Sequence, residues 1–160
     1  MPNWCKNILG ISGPTHDLVN FKWAAVGFSP WHKPEPGEQP NVLNFHSLMP
    51  IPEQTLQAGY SSAGYNWEIE NWSCKWGACH AWIQSESSGE IVYMFETPWA
   101  PPLGLLRHAS LNWPTLSFGI SYMDEILNFK GEATVKAGKV DNRLIKAEFE
   151  EYQGEEEDLC

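Results

Sequence analysis

The 160-residue chain has no apolar run approaching the ~20 residues of a membrane span, and Met1-Pro2-Asn3-Trp4 lacks the basic start and apolar stretch of an export signal. A soluble cytoplasmic protein with no membrane partner is expected. Cations are scarce: 10 Lys and Arg stand against 20 Asp and Glu, and they are nowhere clustered as the phosphates of a duplex require. Direct duplex binding is thereby excluded. The acidity is uneven, since residues 1–147 hold 13 acids against 10 bases while seven acids and no base follow from Glu148. Residues 150–160 therefore read as an acidic, disordered tail behind a single domain spanning 1–149.

Cysteine is also sparse. Cys5, Cys74, Cys79 and Cys160, in a chain without an export signal, are expected to be reduced thiols rather than a disulfide framework. Cys74, Cys79 and His80 are spaced more widely than the usual zinc pairs, and no second pair follows, so no metal is assigned. The chain has no phosphate-cradling glycine loop, no Ser-His-Asp or Cys-His order and no paired-histidine motif. Among possible acid-base groups are His16, His46, His80 and His108. Glu68 and Glu70 lie two apart, on different sides of a helix, and read as solvated. No catalytic residue and no cofactor are assigned.

Tryptophan, by contrast, is abundant, with nine in the chain. Its placement follows from the elements. Cys5, Asn7, Leu9 and Ile11 alternate with Trp4, Lys6, Ile8 and Gly10, the period of a strand that ends at Ser12-Gly13-Pro14. Leu9 and Ile11 face the core, with Cys5 and Asn7 near a connection or cleft. Thr15 is expected to cap a helix running to about Val26, built on Leu18, Val19, Phe21, Ala25 and Val26. Four prolines between Phe28 and Asn41 make a loop, with Trp31 and His32 as its anchors. Residues 42–52 are expected to cross the molecule as an extended buried segment, Glu53 to Leu56 to make one turn, and Gly59–Gly64 to be flexible. A short helix is predicted over Asn66–Trp72, presenting Trp67, Glu68 and Trp72.

The second half is more regular. Ala78–Gln84 and Glu90–Thr97 form a hairpin around Ser87-Ser88-Gly89, with Ile91, Tyr93 and Phe95 on one face. Pro101 and Pro102 suit a helix start, and Leu103, Leu106 and Ala109 line its inner stripe to about Ser110. Leu116 to Tyr122 alternate as a strand, Ile126 to Gly131 continue or return it, and residues 132–150 form an edge strand and hairpin. Strand, helix, strand, strand, helix, strand is the split βαβ order. The expected class is α+β: a ferredoxin-like antiparallel sheet with two helices on one face, long loops on the other and an added C-terminal hairpin.

Several short motifs run through this frame: Met1-Pro2-Asn3-Trp4-Cys5-Lys6-Asn7, Ile11-Ser12-Gly13, Asn44-Phe45 with Leu48-Met49-Pro50-Ile51-Pro52, Asn71-Trp72 with Lys75-Trp76, Thr97-Pro98-Trp99-Ala100-Pro101-Pro102 and Phe129-Lys130-Gly131. In this order they resemble the YubB ferredoxin-like family carried by phages and conjugative plasmids. The resemblance implies a ferredoxin-like fold and a mobile-element origin, and it brings no established activity. Ser73-Cys74 departs from the Gly-Thr expected before Lys75-Trp76, and Pro98 stands where Ala is usual.

Two connections concentrate the chemistry. Trp72, Trp76 and Trp99 can stack a base, Lys75 can meet phosphate, and Asn3, Trp4, Asn71 and Thr97 supply polar edges and a further ring. The expected function is capture of a small nucleotide-type ligand without turnover, as an accessory protein of a phage or mobile element acting in counter-defence. A protein-protein inhibitor of a host factor, gripping with exposed aromatics and the acidic tail, is the alternative, and an enzyme acting on a nucleotide is the second. Homo-oligomerisation through the edge formed by residues 132–149 is a further expectation.

Overall fold

The computed structural model describes residues 2–124 and 129–146. The expected tail at 150–160, Ile126, Phe149 and Cys160 lie outside the described residues. One antiparallel sheet of six strands organises the rest, in the order β2-β3-β1-β4-β5-β6. The strands are β1 (Trp4–Ser12), β2 (Cys79–Glu86), β3 (Glu90–Pro98), β4 (Ser117–Asp124), β5 (Phe129–Lys136) and β6 (Lys139–Lys146). Helices α1 (Thr15–Ala24) and α5 (Leu103–Asn112) follow β1 and β3. The first four strands with these two helices are the ferredoxin-like unit, and β5–β6 extends it beside β4.

β1 is the central strand, bonded to β3 on one side and β4 on the other. Its odd residues Cys5, Asn7, Leu9 and Ile11 are all buried under the helices, while Lys6 and Ile8 point the other way and are exposed. A buried Leu or Ile contributes about 1.5–3 kcal/mol, so this period-two pattern fixes which face of the sheet becomes the core. Asn7 lies beside the β3–α5 connection, as expected from its polarity, through Thr97 at the end of β3. It is enclosed, and its Nδ2 donates to the Cys5 carbonyl at 2.9 Å and to Thr97 Oγ1 at 2.9 Å.

The helix after β1 departs from expectation at both ends. Pro14 occupies the cap position without a side-chain bond, and the Thr15 hydroxyl donates instead to the Ser88 carbonyl. The helix stops at Ala24, and Val19 is exposed, because Leu18, Phe21 and Ala25 suffice to cover the sheet.

The long segment between α1 and β2 is more regular than its prolines suggest. Residues 42–52 do not cross as an extended strand. Asn44 Oδ1 accepts from the Ser47 amide at 2.8 Å and opens a one-turn helix, α2 (Phe45–Leu48). Beyond it come α3 (Glu53–Ala58), a π-helical turn over Tyr60–Gly64 where flexibility was expected, and α4 (Tyr65–Trp72). Gly64 belongs to the buried core of that turn, and a Cβ there would meet the Trp31 ring at 2.4 Å. The expected placement of this segment opposite the helices is also corrected. Leu43, Phe45, Leu48 and Ile51 all join the core, and Phe45 meets the rings of Trp72 and Phe95 edge-on at 5.6 and 6.1 Å. Their apolar surface has to be buried, and the core formed by the described residues lies on the helix side. The segment therefore thickens the covered face and, among the described residues, leaves the other face of the sheet bare.

The added hairpin turns at Ala137 and Gly138, whose φ values of 46° and 82° are those of a tight two-residue turn. It is anchored to α5, where Ser110 Oγ accepts from the Gly138 amide at 2.8 Å.

Candidate functional site

The two tryptophan-bearing connections meet at one corner of the sheet, where the bare face begins. Both contain backbone that bulky residues rarely adopt. Of the five described non-glycine residues with positive φ, Ser73 and Trp76 lie between α4 and β2, His80 is the second residue of β2, and Trp99 lies between β3 and α5. Left-handed backbone costs such residues about 1–2 kcal/mol each, so the surrounding structure has to impose it.

The impositions can be traced atom by atom. Ser73 closes α4 at φ 71°, the position where glycine is expected, and its Oγ accepts from the Gly104 amide at 3.0 Å. That bond joins α4 to the start of α5. Trp76, at φ 67°, donates its amide hydrogen to Glu68 Oε2 at 2.8 Å, while Trp31 Nε1 donates to Glu68 Oε1 at 2.7 Å. Glu68 was expected to be solvated and is wholly enclosed. Burial pushes its carboxyl above the ordinary glutamate range, and the two N–H donors oppose that shift without cancelling it. A single carboxylate thus ties the proline-rich loop to the Trp76 platform. Trp99, at φ 72°, donates its amide to the Asn3 carbonyl at 2.8 Å.

The outer surface of this corner is a run of rings. Lys75 Nζ sits 4.2 Å from the centre of the Trp76 ring and 5.9 Å from that of Tyr65. Trp76 faces Trp4 at 6.4 Å, tilted by 55°, and Trp4 meets His80 edge-on at 5.7 Å. His80 Nδ1 is 2.7 Å from Glu96 Oε2, and His80 then lines a groove of about 600 Å³ on the bare sheet face. That volume lies within the ~300–1,000 Å³ usual for small-molecule sites. Trp76 and Trp99 are about half exposed, at 47% and 49%.

The eight residues expected at the site separate into two groups. Trp4, Lys75 and Trp76 come together at the exposed corner, and Asn3 and Trp99 flank it through their shared backbone bond. Trp72, Thr97 and Asn71 have their side chains committed elsewhere. Trp72 is buried, with its Nε1 donating to the Met49 carbonyl at 3.2 Å. Thr97 is fully enclosed, accepts from Asn7 and donates to the Ala100 carbonyl at 2.7 Å. Asn71 donates back to the Trp67 carbonyl at 2.8 Å. These three shape the corner from behind. His80 and Glu96 were not placed with the tryptophans by sequence, although the alternation of β3 puts Glu96 on the outer face.

The other reactive groups are quiet. Burial pushes the Cys5 thiol up to about 12, with the Asp124 charge adding to it, and Cys79 up to about 11, so neither is a ready thiolate. His46 accepts from the Ile51 amide through Nδ1, and burial lowers its affinity for a proton. His16 and His108 pair with Asn20 and Asn112 on exposed helix surfaces. No group of three His, Cys, Asp or Glu among the described residues has the arrangement of a metal site.

Comparison with known proteins bears on the fold. A family model described as the ferredoxin-like domain in Api92-like protein matches residues 78–159. The fold is similar to that in a crystal structure of a protein api92 from Yersinia pseudotuberculosis, with a TM-score of 0.73 over 92% of this chain and 99% of that one, at 10% sequence identity. At that identity the likeness concerns the fold. None of the curated proteins matches the chain.

Proposed function

For a chain that belongs to the family of the ferredoxin-like domain in Api92-like protein, we propose capture of a small nucleotide-type ligand, without turnover, at the Trp4–Trp76 corner. The observation that carries this reading is the exposed Trp76 indole, held on left-handed backbone with Lys75 Nζ 4.2 Å from its ring and the partly buried Trp4 ring beside it at 6.4 Å. A platform fixed before binding loses little conformational freedom when a ligand arrives. Stacking on such a ring is worth about 1–3 kcal/mol per base, and Lys75 can turn from the ring face to a phosphate. Trp99 and the Asn3 backbone bound the same corner.

The resemblance to a phage- and plasmid-borne family gives the capture a setting in the host cytoplasm: a mobile-element protein that withdraws a nucleotide from a host defence pathway. Sequestration requires tight binding and no chemistry, which agrees with thiols held protonated by burial. The test is recovery of the bound molecule after denaturation. An intact ligand, lost from Trp76→Ala and Lys75→Ala proteins that still fold, is the expected result. A chemically changed ligand would turn the assignment to an enzyme, with the His80–Glu96 pair as its acid-base group.

One observation favours a second reading, inhibition of a host protein. Trp23 on α1 is 73% exposed, with Val19 one turn away also exposed. Loss of a host-protein complex in Trp23→Ala, with Trp76→Ala unaffected, would select that reading.

A further inference from the structure

The bare face continues well beyond the corner. Across it, Trp82 of β2 stands beside Met94 of β3, Met94 beside Ile8 of β1, and Ile8 beside Ser121 of β4. One register step along, Lys6 pairs with Met123, and Met123 with Lys130 of β5. Side chains opposite one another on neighbouring strands are about 4.5–5.5 Å apart, so these make continuous rows rather than scattered exposures. Four strand spacings separate β2 from β5, about 19 Å in all. The Trp82 ring is 51% exposed, and Ile8 and Met123 are exposed as well.

Charge on this face is arranged unevenly. Two of its acids have basic partners: Glu96 is 2.7 Å from His80, and Glu132 is 4.0 Å from Arg143. The ammonium groups of Lys130 at the β5 end and Lys75 at the corner have no ion-pair partner among the described residues. A flat apolar platform flanked by cations suits neither a purely apolar partner nor a second copy of this chain, which would bring the same lysines against their own images.

We infer that the face takes a short single strand of nucleic acid, its first base at the Trp4–Trp76 corner and its next bases laid over Trp82, Met94 and Ile8. This rests on the nucleotide-capture reading and extends it from one nucleotide to a strand. Sheets about four strands wide stack two or three bases when they bind RNA, which fits the span available. Few phosphates are met, so affinity should fall only gently with salt. Two contacts give a slope of about −1.4 in log affinity against log salt.

The experiment is a tryptophan-fluorescence titration of the full chain with thymidine monophosphate, the other mononucleotides and oligothymidylates of increasing length. Affinity is expected to rise about tenfold or more from the mononucleotide to the trinucleotide and to level off beyond it, with the shallow salt slope. Trp82→Ala, shown to be folded by its denaturation curve, should cost the trinucleotide about fivefold or more, and Met94→Ala should reduce the same gain. Mononucleotide binding with no dependence on length would overturn the strand and leave the corner reading standing. No binding by any nucleotide or oligonucleotide would overturn both. A stable dimer that shields Trp82 and excludes oligonucleotides would overturn the strand in favour of self-association.

Discussion

The two faces of one sheet have been given different work by alternate residues of the same strands. On β1, Leu9 and Ile11 sit under helices and loops with almost no exposure, while their neighbours Lys6 and Ile8 face solvent. On β3, Tyr93 and Phe95 are buried and Met94 and Glu96 line the groove. The covered face received both helices together with Leu43, Phe45, Leu48, Ile51 and Trp72 from the segment between α1 and β2. That crowding is what leaves the opposite face open, and it is also what holds the corner rings, because Glu68, Trp72 and Ser73 reach them from the covered side. Stability and recognition are thus separated by the pleat, and substitutions of adjacent residues should have unlike effects.

The sharpest contrast is between two tryptophans four residues apart. Trp72→Ala should destabilise the protein by about 3–5 kcal/mol in urea melts, because it empties a space between Phe45 and Trp67. Trp76→Ala should leave stability within about 1 kcal/mol while reducing ligand affinity about tenfold or more. Comparable losses of stability in the two variants would break the division of labour.

Next in size is the pair on β1. Leu9→Ala should cost about 2–5 kcal/mol and Ile8→Ala about 1 kcal/mol, again by chemical denaturation. Glu68→Gln should cost about 1–3 kcal/mol, since an amide has one oxygen to accept from Trp31 and Trp76 where the carboxylate has two. The same variant should weaken ligand binding without touching the ligand, whereas an unchanged affinity would detach Glu68 from the platform. The smallest effect is a gain. The Tyr93 hydroxyl is enclosed with no hydrogen-bond partner among the described residues, and burial pushes it up to about 12. Tyr93→Phe should therefore raise stability by about 1 kcal/mol.

Where local pattern decides structure, the chain was readable. The β2–β3 hairpin, the alternation of β1 and the split βαβ order follow from period-two runs and turn residues, and each is present. What could not be read depended on distant partners. Glu68 looks like any exposed helix glutamate until Trp31, 37 residues earlier, and the Trp76 amide close on it. Trp72 and Trp76 have similar surroundings in sequence, and only the backbone reversals at Ser73 and Trp76 send one ring inward and the other out. Residues 42–52 depart from the extended path that their prolines suggest because the Asn44 cap opens a helical turn at Phe45–Leu48. The outer-face row of Trp82, Met94 and Ile8 has its own period-two signal, but whether that row is covered depends on the long segment, which packs on the opposite side.

The most direct measurement is native mass spectrometry of the purified chain incubated with a nucleotide-metabolite extract. The account predicts a single small added mass, of nucleotide type, present on the wild type and absent from Trp76→Ala and Lys75→Ala. An unligated mass for the wild type under those conditions, with a host protein carried through purification instead, would contradict it.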